Sequence, residues 1–264
     1  MTVIHHDYAD EPDPVFLPLP EDLACELYRL EMDGFTDDIV FFRQLLPDRG
    51  RILELGCGTG RVARQLAGPG REVLGIDISM NMLRLAALHQ SANCRFICMD
   101  MVHLGLGRAF DAILIPYNTL NLLIDENRIL RCLYGCREAL DADGRLLAQL
   151  FIPNRPFPAK NSFQFQMFDR PGGGRIIKEI LKRPRPEAHE MEIEERFRIR
   201  PMQPGQTNQD YRSIYRITAP TLDRWLDLFA MAGLTPVDIW GSYDRKNYDP
   251  SATSCCLVQL RRKI

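Results

Sequence analysis

The stretch Arg51-Ile-Leu-Glu-Leu-Gly-Cys-Gly-Thr-Gly-Arg61 decides the fold. A short apolar run enters three glycines at alternate positions, 56, 58 and 60, and Arg61 to Leu66 then carries the spacing of a helix. A strand that turns on glycine into a helix is the opening unit of a parallel α/β sheet, and the glycines let the backbone approach a ligand more closely than side chains permit. The spacing is not the G-x-G-x-x-G of a dinucleotide fold, because Arg61 stands where the third glycine would be and Glu54 precedes the turn.

Outward from this turn the pattern alternates. Strands are expected at Glu72 to Ile76, Cys94 to Met99, Phe110 to Ile115 and Gly144 to Phe151, with helices from about Ser79 to Leu88 and Glu126 to Leu140. Strands that are apolar throughout belong to a parallel sheet covered on both faces. Upstream, Leu23, Leu27, Leu30, Phe35, Ile39, Phe42 and Leu46 recur at helical spacing with an interruption near Gly34, which predicts two helices behind a proline-rich, acidic arm. Downstream of Phe151, Ser162 to Phe168, Arg175 to Leu181 and Met191 to Arg200 alternate apolar with charged residues between the turn signals Pro171-Gly-Gly-Gly174 and Pro204-Gly205. They read as antiparallel strands with one wet face. Thr221 reads as the N-cap of a helix that stops at Gly233, and strands at Pro236 to Trp240 and Cys255 to Leu260 close the chain.

The prediction is therefore a doubly wound, mostly parallel seven-stranded sheet with an antiparallel β lid inserted before strand six. Residues 1–46 form an arm and capping helices, 47–153 with 217–264 the core, and 154–216 the lid.

With Glu54 included, the glycine turn resembles motif I, E/D-x-G-x-G-x-G, of the class I S-adenosylmethionine-dependent methyltransferases, closest to small-molecule N-methyltransferase-like members. The resemblance covers about residues 35 to 151. It implies a Rossmann-like methyltransferase with S-adenosyl-L-methionine as cofactor and S-adenosyl-L-homocysteine as product. Asp77, ending the strand Val73-Leu-Gly-Ile-Asp77, suits the two ribose hydroxyls, since a carboxylate accepts two hydrogen bonds from a diol. Asp100 would face the adenine amino group, with Ile78 and Met101 flanking the ring. Glu54, Gly56, Cys57, Gly58 and Gly60 would form the cofactor turn, and Pro116 and Asn118 the end of the fourth strand that faces the methionine part and the acceptor. The stretch Phe35-Thr-Asp-Asp-Ile-Val-Phe-Phe42 resembles the helix that caps the cofactor in small-molecule N-methyltransferases.

The sulfonium methyl is already reactive, so the chain has mainly to hold a nucleophile in line with it. The acceptor is expected to be a small molecule with an amine or oxygen nucleophile. Tyr117, Tyr215 and His189 are candidate bases, alongside Tyr243 and Asp249, although a strand tyrosine commonly packs and a turn histidine is commonly solvated; His103 belongs to an exposed loop. Asn121, Arg212, Tyr215 and Arg216 are candidate substrate contacts: the two arginines lie four apart beside Tyr215 and suit a carboxylate or phosphate by bidentate contacts. The bland reading of this mixed-charge block is a solvated sheet face.

Composition agrees with an ordinary globular protein: 264 residues, 45% hydrophobic, 26% charged, net charge −2, so no global field holds it on a polyanion. A nucleic-acid partner is disfavoured; a monomer or homodimer is expected. The N-terminus lacks a secretory signal and no apolar run approaches the ~20 residues of a membrane span, which with eight scattered cysteines predicts a cytoplasmic protein. Cys94/Cys98 and Cys132/Cys136 lack the two-residue gaps of a zinc site, so no metal is expected. The competing readings are a nicotinamide oxidoreductase, a tRNA or protein methyltransferase, and a cofactor-binding protein without catalysis.

Overall fold

The structure, a computed structural model, describes residues 15–107, 110–153, 162–170, 173–202, 205 and 207–263. The arm before residue 15, the start of the expected lid at 154–161, and Pro171 and Pro204 of the turn signals lie outside the described residues.

In chain order the elements are β1 (Leu17–Pro18), α1 (Glu21–Met32), α2 (Asp37–Leu45), β2 (Gly50–Leu55), α3 (Arg61–Leu66), β3 (Arg71–Asp77), α4 (Met80–Ala87), β4 (Cys94–Cys98), β5 (Phe110–Ile115), α5 (Glu126–Ala139) and β6 (Leu140–Phe151). They continue with β7 (Ser162–Asp169), β8 (Gly174–Arg185), β9 (Glu190–Pro201), β10 (Gln209–Thr218), α6 (Leu222–Met231), β11 (Leu234–Trp240) and β12 (Cys255–Arg262).

The alternation builds a seven-stranded sheet in the order β11-β12-β6-β5-β2-β3-β4. Strands β6, β5, β2, β3 and β4 are parallel, while β12 runs antiparallel to both β6 and β11. Side chains point alternately to the two faces. Leu53, Leu55, Ile113 and Ile115 enter one core with Ile129 and Leu133 of α5 and Trp225 and Phe229 of α6. Ile52, Ala112 and Leu114 enter the other with Ile39 and Phe42 of α2 and Val62 and Leu66 of α3. Burying each such leucine or isoleucine contributes about 1.5–3 kcal/mol, which is why these strands tolerate no polar alternation. Thr221 caps α6 as its sequence implies, its hydroxyl accepting from the Arg224 N–H at 3.0 Å. The strand order reverses between β2 and β5, and ligands of open α/β sheets bind at the carboxyl ends of the strands at such a switch.

A second sheet has the order β1-β10-β9-β8-β7. Strand β10, absent from the sequence reading, pairs with β9 from Gln209↔Ile199 to Thr218↔Glu190. One face buries Ile176, Phe197 and Ile199 against Leu23, Leu27 and Leu30 of α1. Further along the same face Ile180, Met191, Ile193 and Ile217 pack with Phe151 at the end of β6. The other face carries a ladder of ion pairs such as Arg183–Glu192 and Arg198–Glu179. Helix α1 thus lies between the second sheet and the carboxyl ends of the parallel strands.

Candidate active site

A cleft of about 430 Å³ opens above the glycine turn. Glu54, Gly56, Cys57 and Gly58 form its floor, Asp77, Ser79 and Met82 one wall, and Pro116, Tyr117, Thr119 and Leu122 the opposite wall. Glu21, Ala24, Cys25 and Tyr28 cover it. These four share one side of α1, while Leu23, Leu27 and Leu30 pack on the second sheet, so the helix seals the sheet with one side and the cleft with the other.

The glycines differ in what they do. All three have positive φ, 67°, 54° and 74° at 56, 58 and 60. A Cβ at Gly60 would lie 2.6 Å from the Phe96 ring, so Gly60 serves close packing; one at Gly58 would meet only Tyr28, at 3.5 Å on the cleft side. Gly58 leaves its backbone open toward a ligand.

Two carboxylates face this space from adjacent strands. Asp77 is held by backbone: Oδ2 accepts from the Gly58 N–H and Oδ1 from the Ser79 N–H, both at 2.8 Å. A carboxylate has about four lone-pair sites, so each oxygen keeps acceptor capacity toward the cleft. Glu54 is 2% exposed, and its Oε2 has no hydrogen-bond partner among the described residues. Burial pushes its carboxyl up to about 8, against the downward pull of Arg61 and of the Ala63 N–H. Beneath it Arg61 bonds Asp38 through both guanidinium nitrogens, at 2.9 and 2.5 Å, and donates to the Phe35 carbonyl at 2.6 Å. Burial would lower Arg61, but Asp38 holds it above the ordinary arginine value.

At the end of β5, Tyr117 and Asn118 both take left-handed backbone, φ 50° and 60°. This is uncommon outside glycine, and strained backbone concentrates where function over-determines it. Asn118 Oδ1 is buried without a partner among the described residues, whereas Tyr117 lines the cleft.

Residues 52–144, from β2 into β6, match the family model described as a methyltransferase domain. Over that stretch the chain is similar to methyltransferase domains. YqeM of Bacillus subtilis (strain 168), named as a methyltransferase, is 38% identical over 105 residues, 39% of this chain and 42% of that protein. The chain spans less than half the length of the curated relatives it matches. CalS10 from Micromonospora echinaspora, an amino pentose methyltransferase with S-adenosylmethionine bound, has a similar fold: TM-score 0.73 at 18% identity over 98% of this chain and 100% of that one. The sugar N-methyltransferase KedS8 from Streptoalloteichus is similar at TM-score 0.72 and 17% identity, over 100% and 99% of the two chains. The α/β sheet with its added antiparallel sheet is the class I methyltransferase fold.

The fold gathers Glu54, Gly56, Cys57, Gly58, Asp77, Pro116 and Tyr117 at one cleft. Others stand apart from that lining. Ile78 is 68% exposed, and Met101 packs against the main core. Asp100 accepts from the Val102 N–H through Oδ1, while its Oδ2 lies 3.4 Å from Arg128 and 3.6 Å from His103.

Four of the candidates, the contacts Asn121, Arg212 and Arg216 and the base His189, do not line the cleft. Asn121 is fully buried and its amide holds backbone: Nδ2 donates to the carbonyls of Phe151 and Thr218 at 2.9 and 2.8 Å, and Oδ1 accepts from the Phe151 N–H at 2.9 Å. It ties the turn after β5 to β6 and β10, with both amide hydrogens spent on backbone carbonyls. Arg212 and Arg216 do not share a surface with Tyr215, because alternate residues of β10 face opposite sides. Arg216 pairs at 3.8 Å with Glu190 and Glu192 on the outer face. His189 sits in the exposed turn before β9 with φ 50° and does not line the cleft. Of the remaining candidates, Tyr243 donates to Gln149 Oε1 at 2.6 Å and Asp249 caps its own turn through Ser251.

Sequence reasoning missed Tyr28, Cys25 and Leu122, which carry no motif and reach the cleft only through packing. Among the described residues no group of three or more His, Cys, Asp or Glu is placed to hold a metal ion, and no helix is long and apolar enough to cross a membrane.

Proposed function

We propose that the protein transfers the methyl group of S-adenosyl-L-methionine to a small-molecule acceptor and releases S-adenosyl-L-homocysteine. The observation that carries this is the pair of carboxylates facing one cleft: Asp77 with acceptor capacity on both oxygens, and Glu54 with a buried oxygen that lacks a partner. The first suits a ribose diol and the second the ammonium of an amino acid, and a buried unsatisfied carboxylate oxygen calls for such a donor. When bound, the cofactor supplies a methyl group on a positively charged sulfur, ready for attack by a nucleophile.

The chain's own contribution is placement. Gly58 admits a ligand against the backbone, Tyr28 excludes water from above, Ile78 and Met101 would flank the adenine, and Asp100 would face its amino group. Tyr117, held by strained backbone on the wall opposite Asp77, would meet the acceptor. Holding reactants in line can lower a barrier by about 7–11 kcal/mol, so no general base is obligatory for an amine that arrives neutral. The tyrosine is unsuited to that role in any case, since burial raises its pKa above the ordinary value, with Glu31 adding to the shift.

Calorimetric titration with S-adenosylmethionine and S-adenosylhomocysteine tests the reading. Micromolar affinity is expected, weakened about a hundredfold in Asp77→Ala, since two charge-assisted hydrogen bonds contribute on the order of 3 kcal/mol. A folded wild-type chain that binds neither compound refutes the proposal.

A further inference from the structure

Tyr117 and Asn118, the left-handed pair at the end of β5, are held from outside their own turn. Thr119 closes the turn on itself, its N–H and its hydroxyl both donating to the Pro116 carbonyl, at 3.1 and 2.7 Å. The Tyr117 N–H is taken instead by Oε1 of Gln149 on β6, at 3.2 Å. The same oxygen accepts from the Tyr243 hydroxyl, in the loop after β11, at 2.6 Å. Burial raises the Tyr243 pKa well above its ordinary value, so the hydroxyl keeps its proton and donates. Gln149 is 5% exposed and stands in register with Leu257, on the side of the sheet where Leu147, Leu257 and Trp240 pack with α2. A buried amide among apolar neighbours is costly unless its hydrogen bonds are made, so packing alone gives no reason for glutamine there. The rings repeat the connection: Phe35 meets Tyr117 edge-on at 6.4 Å and Tyr243 at 5.7 Å, and Tyr243 meets Phe41 at 5.9 Å.

We propose that Gln149 is a positioning residue for methyl transfer, holding the Tyr117 turn by its N–H and so setting where that wall of the cleft stands, while Tyr243 fixes the direction of the amide oxygen. The proposal rests on the methyl-transfer reading, which puts the acceptor at Tyr117 and so aims the methyl group at that wall. Residues other than glycine keep left-handed backbone only where their surroundings over-determine it. Without the Gln149 oxygen the Tyr117 N–H loses its partner, and the turn is free to relax toward ordinary backbone. The wall then shifts, and a ligand that reaches it loses more than one that does not. S-adenosylmethionine and S-adenosylhomocysteine differ only in the methyl group and its charge, so the ratio of their affinities reads the position of the wall.

The test titrates both compounds calorimetrically into the full chain and its variants. The same chains carrying 3-fluorotyrosine give a fluorine NMR signal for Tyr117, identified as the one missing from Tyr117→Phe. Gln149→Met keeps the length of the side chain and removes the oxygen. It should lower the ratio of S-adenosylmethionine to S-adenosylhomocysteine affinity about fivefold, the worth of about one net hydrogen bond, and move the Tyr117 signal. Tyr243→Phe leaves the amide but not its orientation and should shift both readouts in the same direction by less. Gln149→Glu keeps an oxygen that can accept from both donors; it should restore the signal and hold the ratio at or above the wild-type value. Leu147→Val, two residues back on the same face, should lower stability while leaving ratio and signal unchanged. Equal weakening of both compounds in Gln149→Met, a Tyr117 signal that stays in place, or an equal loss of ratio in Leu147→Val overturns the proposal. A wild type that binds neither compound refutes the cofactor reading, and the Tyr117 signal of the unliganded variants then still decides whether Gln149 holds the turn.

Discussion

Glu54→Gln removes the most deeply buried charge of the cleft while keeping its shape. The folded carboxyl titrates at about 8 against an ordinary 4.5, a raised value caused first by burial. Between those limits the folded chain holds a proton that the unfolded chain has released. The stability from that proton is fully present below 4.5 and is lost as pH rises through about 8, at about 1.4 kcal/mol per pH unit, giving a ceiling of about 5 kcal/mol. Glutamine carries no such proton. Urea unfolding should therefore give wild type and Glu54→Gln similar stabilities near pH 5, with the wild type falling behind progressively, by roughly 3 kcal/mol or more near pH 8. Binding should follow the opposite course. The carboxylate form is the one that meets a cationic ligand, so wild-type affinity for S-adenosylmethionine should rise up to about tenfold per pH unit across the same window, and the variant should show no such rise. Parallel stability profiles for the two proteins between pH 5 and 8 would refute the assignment of a protonated Glu54 in the unliganded chain.

Asn121→Ala removes three hydrogen bonds of 2.8–2.9 Å and leaves the Phe151 N–H without its partner, so urea unfolding should show a loss of about 3 kcal/mol with S-adenosylhomocysteine affinity little changed. A loss under about 1 kcal/mol would contradict its role as a tie between strands. Gly60→Ala forces a Cβ at φ 74° to 2.6 Å from the Phe96 ring, which should destabilise by about 2 kcal/mol. Gly68→Ala, with nothing within 4 Å of the added methyl, should stay within about half a kcal/mol in the same assay.

The parallel sheet was legible because its strands are buried on both faces and announce themselves as apolar runs ending in Glu54, Asp77 and Ile115. The break near Gly34 likewise separated α1 from α2. Strand β10 was hidden by its own alternation: Asp210, Arg212, Ser213 and Arg216 make Gln209 to Thr218 resemble a solvated loop until β9 is seen beside it. A period-2 reading could have parted Tyr215 from Arg212 and Arg216, since odd and even positions of a strand face apart. Asn121 gave no signal of its role, because its partner Thr218 lies 97 residues away. Lys178 meets Glu31 across 147 residues, and only the fold turns two unremarked charges into a pair.

Arg61 shows how a departure from one motif becomes part of another site. In a dinucleotide turn the third glycine allows helix and strand to pack closely. Here Phe96 and Ala86 crowd Gly60 instead, which leaves position 61 free to carry a long side chain. That side chain reaches back to Asp38 and the Phe35 carbonyl and stacks 5.5 Å from the Phe35 ring. Phe35 in turn meets Tyr117 edge-on at 6.4 Å and Tyr243 at 5.7 Å. The residue that ends the glycine turn therefore ties the start of α2, and through Phe35 the strained Tyr117, to the floor of the cleft. Removing one partner of a buried ion pair typically costs 3–5 kcal/mol, so the start of α2 is fastened to the turn that forms the floor of the cleft.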